Sequence, residues 1–179
     1  MSAVHRHLGL VLILGAAVAP AAEPAGPRPP PPTASPDLIT LAEATQMAQA
    51  ALQDCARRGQ PAAAAVVDVT GFQRVALADD NAKLIGVVHS TRKAAAVLSF
   101  KVSTQVLQTR AETDKQFAQQ YGKDERYLLQ GGGLPIYKNG KLVAAFAVGG
   151  AADFNEACAL VGIKAVSWAT TDTTGHPPP

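Results

Sequence analysis

The chain has 179 residues, 47% of them apolar and 17% charged, with a formal net charge of +2. That balance supports a folded core and excludes a highly charged disordered protein, while so small a charge, with Lys and Arg scattered, argues against a nucleic-acid or anionic-membrane partner. Two cysteines occur, Cys55 and Cys158, too few for a disulfide scaffold or a four-cysteine metal site.

Met1 to Ala22 has the layout of a secretory signal peptide. Arg6 lies between His5 and His7, an apolar run extends from Leu8 to Val18, and Ala19-Pro20-Ala21 supplies a small-x-small cleavage pattern. The apolar run of about eleven residues is short of the roughly 20 that a spanning helix needs. Cleavage after Ala21 or Ala22, and a periplasmic or secreted protein with no membrane attachment afterwards, are expected. Residues 23–37 are dominated by proline and alanine, with Pro29 to Pro32 consecutive, and predict an extended, semi-rigid linker. A domain over residues 38–169 follows, and the polar, proline-ended tail over residues 170–179 is expected to be disordered.

Within the domain, Leu41, Ala44, Ala48, Ala51, Leu52 and Cys55 recur at three- and four-residue spacing. They predict an amphipathic helix from Leu41 to Arg58, with Thr40 as its N-cap, Glu43 closing a capping box and Gly59 as its stop. Ala62 to Val69, the turn at Thr70-Gly71, and Phe72 to Ala78 predict a first β-hairpin. Lys83 to Phe100 resumes helical character, a break is expected near Ser99 to Ser103, and Thr104 to Gln120 predicts one or two short helices. Gly131, Gly132 and Gly133 then interrupt regular structure. Leu134 to Tyr137 and Leu142 to Val148 flank Asn139-Gly140, the preferred pair for a type I′ turn, and predict a second hairpin. Asp153 to Trp168, with Phe154, Ala157, Cys158, Val161, Ala165 and Trp168 on one stripe, predicts a closing helix. The order describes an α+β sandwich, which alone names no function.

Four segments do more. The opening Ile39 to Ala44, the strand and turn Val66 to Gly71, the helical run Thr91 to Val97, and above all GGGLPIYKNGKLVAAFAVGGA from Gly131 to Ala151 together resemble the GlcG/HbpS-like family of haem-binding proteins over roughly residues 38–168. The resemblance implies a profilin-like α/β/α sandwich, with an antiparallel sheet of two hairpins and an additional strand flanked by helices. It also implies self-association into homo-oligomers and haem or another tetrapyrrole as ligand. The family shares no single reaction. Two departures stand out: the common glycine-rich strand is Ala144-Ala145-Phe146-Ala147-Val148-Gly149-Gly150 here, predicting a narrower pocket, and a frequent acidic position in the next helix is Asn155.

His89 is the one histidine of the folded region, since His5 and His7 belong to the signal and His176 to the tail. It is therefore the candidate imidazole ligand for a haem iron, with Met47, Tyr121, Tyr127 and Tyr137 as weaker substitutes. Arg92 and Lys93 follow within a turn and are candidate partners for propionate carboxylates; the competing role for both is a solvated helix face. Gly131, Gly132, Gly133 and Pro135 are candidates for pocket lining, although glycines there equally serve turn geometry. No phosphate-binding glycine spacing is present. Asp68 is either a turn cap or an acid facing the pocket. Cys55 and Cys158 lie on apolar helical stripes, and the family fold would make their helices neighbours, so either a bridge or two buried thiols is expected.

Three functions compete: an exported haem- or tetrapyrrole-binding or sensing accessory protein; an enzyme acting on a small organic metabolite through Asp68, His89, Lys93 or the tyrosines; and a non-catalytic oligomeric interaction module.

Overall fold

A computed structural model describes residues 38–176. The expected signal peptide and proline-rich linker, and the final three prolines, lie outside the described residues. The elements run α1 (Leu41–Arg57), β1 (Ala63–Asp68), β2 (Gln73–Ala78), α2 (Leu84–Phe100), α3 (Thr104–Thr113), α4 (Lys115–Tyr121), β3 (Gly133–Lys138), β4 (Lys141–Gly149) and α5 (Asn155–Lys164), the last preceded by a single 3-10 turn at Ala152–Phe154. No helix among the described residues is long and apolar enough to cross a membrane.

The four strands form one antiparallel sheet in the order β2-β1-β4-β3. Alternation along the strands sends successive side chains to opposite faces. Ala64, Val66, Leu134, Ile136, Ala144, Phe146 and Val148 face α1 and α5 in the larger core. Val67, Ala145 and Ala147 face Ala94 and Val97 of α2. The β4 alanines thus lie in the two core layers, where their small side chains set the helix-to-sheet distance, and none of them borders the cleft described below. The pocket is not narrowed by them.

Local chemistry explains the boundaries. Thr40 Oγ1 accepts from the Glu43 amide at 3.2 Å while Glu43 Oε2 accepts from the Thr40 amide at 2.8 Å, the reciprocal bonds of a capping box. Met47 on this helix is fully buried and so is core, not a ligand. Lys101 takes the left-handed conformation that ends α2, and Ser103 and Asp114 cap α3 and α4 by accepting from Val106 and Phe117 amides. Asn139 and Gly140 have φ of 52° and 72°, as a type I′ turn requires.

The closing helix is shorter than its sequence pattern suggests, and its buried stripe is Cys158, Ala159, Gly162 and Ile163, with Val166 buried just past its end. Gly162 sets this phase: a Cβ there would sit 2.5 Å from the Met47 carbonyl and 2.7 Å from the Phe146 ring, so that face alone can press against α1 and the sheet. Cys55 of α1 and Cys158 of α5 are joined by a disulfide, with their Cα atoms 5.6 Å apart. Beyond α5, Trp168 Nε1 donates to Glu43 Oε1 at 2.6 Å, and Thr170 pairs with Tyr137 through two main-chain bonds. That bridge is the only additional pairing on the sheet among the described residues. Asp172 accepts from the amides of Thr174 and Gly175.

Candidate functional site

Helix α2 crosses the end of β4 at close range. A Cβ on Gly86 would lie 3.0 Å from the Gly149 carbonyl oxygen, and one on Gly149 would lie 2.8 Å from the Ser90 amide and 3.0 Å from the His89 Cβ. Two residues without side chains therefore let the helix pass, and this crossing brings His89 and Lys93 to the glycine loop before β3. The result is a cleft of about 730 Å³, within the range of ligand sites. Its walls come from Gln60 and Pro61 after α1, Lys83, Ile85 and His89 at the start of α2, Gln105 and Gln108 of α3, Gln130-Gly131, and Ala152, Asp153, Asn155 and Glu156 around the start of α5.

The floor is polar and buried. Lys93 is 1% exposed, and its ammonium donates to the carbonyls of Gly131 at 2.7 Å and Val148 at 3.0 Å. Burial lowers its pKa to about 8, opposed by the charge of Glu156. Burial likewise pushes the Glu156 carboxyl up, against the Gly132 amide and the Lys93 charge, which favour the carboxylate. Its Oε2 is buried without a hydrogen-bond partner. Gly132 cannot carry a side chain: its φ is +112°, and a Cβ would lie 2.5 Å from that of Asn155 and 3.1 Å from Lys93 Nζ. Gly133 is in similar contact with Thr104, whose Oγ1 accepts from its amide at 2.8 Å. The triple glycine is thus a close passage beside Lys93, with Gly131 on the cleft and the other two packed behind it.

His89 is half-buried at the wall, and its imidazole has no hydrogen-bond partner among the described residues. Burial, then the charges of Lys93 and Arg92, lower its pKa, which favours the neutral imidazole that binds metals. Among the described residues no cluster of three or more His, Cys, Asp or Glu could hold a metal ion.

Six sequence candidates lie elsewhere. Asp68, fully buried at the end of β1, accepts from the Thr70 hydroxyl and amide and the Phe72 amide and pairs with Arg74 at 2.6 Å. Burial would raise its pKa, but these bonds hold it below the usual carboxylate range. It is the cap of the first hairpin. Arg92 donates to the carbonyls of Asp124 at 3.2 Å and Tyr127 at 2.8 Å, which commits it to the loop before β3. Pro135 lies buried in β3 opposite Ala145. Tyr121 and Tyr127 stack edge-on with Phe100 in a small aromatic core, and Tyr137 is buried in β3. The titratable side chains that border the cleft are Lys83, His89, Lys93, Asp153 and Glu156.

Glu156, Lys83 and the glutamines were not distinguished by sequence. Glu156 in the first turn of a helix reads as an ordinary complement to the helix dipole. Asn155, one residue earlier, accepts from the Ala151 amide at 3.0 Å and donates to the Ala152 carbonyl at 2.6 Å. It holds the turn in which Ala152 has a φ of 47°, and the acid of this helix reaches the cleft from the next position.

Haem asks for an axial ligand, donors for its propionates and apolar surface for its ring. His89 would supply the first, exposed Lys83 a cation, and Ile85, 50% exposed on the wall, apolar surface. The residues fit the group, although Lys93 and Arg92 already spend hydrogen bonds on carbonyls.

No curated protein matches this sequence. Solved structures do. HbpS is 28% identical, with a TM-score of 0.66 over 80% of this chain and 99% of that one. A double mutant of Streptomyces reticuli HbpS is 31% identical, with a TM-score of 0.63 over 80% of this chain and 96% of that one. A PduOC:heme complex, 18% identical with a TM-score of 0.67 over 76% of this chain and 98% of that one, shares the fold. The model of the family described as haem-degrading protein HbpS-like matches residues 39–164, most of the chain and all of the sheet and cleft, and the protein belongs to that family.

Proposed function

We propose that the protein is an exported haem- or tetrapyrrole-binding accessory protein that holds its ligand in the cleft beside His89 and acts as a homo-oligomer. The observation that carries this reading is a half-buried imidazole whose ring nitrogens have no hydrogen-bond partner among the described residues, on the wall of a cleft of about 730 Å³ that also exposes Ile85. Membership of the HbpS-like family and the fold shared with a haem complex support the ligand class; the signal-peptide pattern supports export.

His89 would hold the iron, Lys83 would meet a propionate, and Ile85 would lie against the ring. Bound haem would supply redox and oxygen chemistry that the side chains lack. Haem titration tests the reading: a saturable Soret shift at one haem per chain is expected, moved or lost in His89→Ala. A flat titration of the parent protein overturns it. Protein recovered from the exported fraction should begin after Ala21 or Ala22, and one that begins at Met1 would overturn export.

A further inference from the structure

Lys93 and Glu156 both border the cleft, yet they make no ion pair with each other. An ammonium has three donors, and Lys93 spends two on the Gly131 and Val148 carbonyls. Glu156 Oε2 is a buried acceptor with no partner. The floor of the cleft therefore holds one unspent donor and one unspent acceptor. Leaving such groups unmade is costly, and a ligand that satisfies both gains that cost back.

The charge around them narrows the ligand. Lys83, Lys93, Asp153 and Glu156 all line the cleft, and, His89 apart, its other polar side chains are amides: Gln60, Gln105, Gln108, Gln130 and Asn155. Two cations balance two acids, so a second carboxylate would meet Glu156 as a like charge and an amine would meet Lys93. A neutral group with an acceptor and a donor side by side meets neither.

We propose that the floor of the cleft, between Lys93 and Glu156, recognises the C=O and N–H edge of a lactam or primary carboxamide, Lys93 donating to its oxygen and Glu156 accepting from its nitrogen. Two sources share this chemistry: a small free lactam or amide, and the terminal lactam ring of a ring-opened tetrapyrrole. The second rests on the tetrapyrrole reading above, and the first does not.

The test is titration of the full folded protein, followed by the amide resonances of Gly131 and Gly132. 2-Pyrrolidinone should shift both, and N-methyl-2-pyrrolidinone, which lacks the N–H, should bind at least about tenfold more weakly. Glu156→Leu should lose about tenfold for 2-pyrrolidinone, whereas Glu156→Gln, which keeps an acceptor oxygen, should lose much less; circular dichroism confirms that each is folded. Equal binding of the N-methyl compound, or unchanged binding by folded Glu156→Leu, overturns the proposal. Biliverdin that displaces 2-pyrrolidinone identifies the tetrapyrrole source; biliverdin without effect identifies the free one. Lactam binding with a flat haem titration would retain this proposal and remove the haem reading, and the reverse result would do the opposite.

Discussion

Lys93 donates to the Gly131 carbonyl at 2.7 Å, so one buried ammonium of α2 fastens the helix that carries His89 to the glycine loop. The same group reaches the Val148 carbonyl of β4 at 3.0 Å. Lys93→Met keeps most of the volume but leaves both carbonyls unpaired, at about 1–3 kcal/mol each. Relief from burying a charge offsets part of this. A net loss of about 2 kcal/mol in urea unfolding is expected, together with shifted Gly131 and Gly132 amide resonances. A variant as stable as its parent would mean that burying the charge costs as much as the two bonds return.

The pH dependence of stability has a predictable sign. Lys93 is held at about 8 against an ordinary 10.5, so above pH 8 the unfolded chain binds more protons than the native one. Stability from this group therefore rises with pH between about 8 and 10.5, approaching on the order of 3 kcal/mol across the window. Glu156 acts at the acid end with the opposite slope: its native carboxyl holds a proton above the ordinary 4.5, so its contribution falls as pH rises through the raised value. Burial and Asp172 raise Tyr137 above 10.0, which opposes Lys93 at the top of the range. Urea midpoints at half-unit steps from pH 7.5 to about 10 should climb in the parent and flatten in Lys93→Met.

Much of the architecture was legible because it is written in local chemistry. Thr40 and Glu43 make a capping box within four residues, and Asn139-Gly140 dictates its own turn. The cleft was less legible because it is assembled across the chain. His89, Lys93 and Gly131 could be singled out, but Lys83, Gln105 and Glu156 join them only through the crossing of α2 over Gly149. The phase of α5 was misread for a related reason. A hydrophobic stripe cannot show that Gly162, with no side chain to count, is the residue pressed against Met47 and Phe146.

Asp68 separates stability from ligand binding. Its carboxylate is fully buried and bonded to Thr70, Phe72 and Arg74. Asp68→Ala leaves the Arg74 guanidinium and two hairpin amides without their acceptor. Losing one member of a buried pair costs about 3–5 kcal/mol, less here because Arg74 is 29% exposed. A loss of about 2–3 kcal/mol is expected. Haem affinity measured below the unfolding temperature should be unchanged, since Asp68 does not border the cleft. A tenfold drop in affinity by the folded variant would return Asp68 to the site.

The bridge between Cys55 and Cys158 spans 103 residues, and closing a loop of that length restricts the unfolded chain by about 4–5 kcal/mol. Reduction, or the pair Cys55→Ala and Cys158→Ala, should lower stability by up to that amount in urea unfolding. It should also act locally. Gln60 and Pro61 follow Cys55 by five and six residues, and Glu156 precedes Cys158 by two, so the bridge holds two walls of the cleft to one another. Cutting it should speed hydrogen exchange at the first turn of α5 more than at Ala144 to Val148, which remain paired in the centre of the sheet. Equal acceleration in both segments would show that the bridge acts only on global stability and does not brace the cleft.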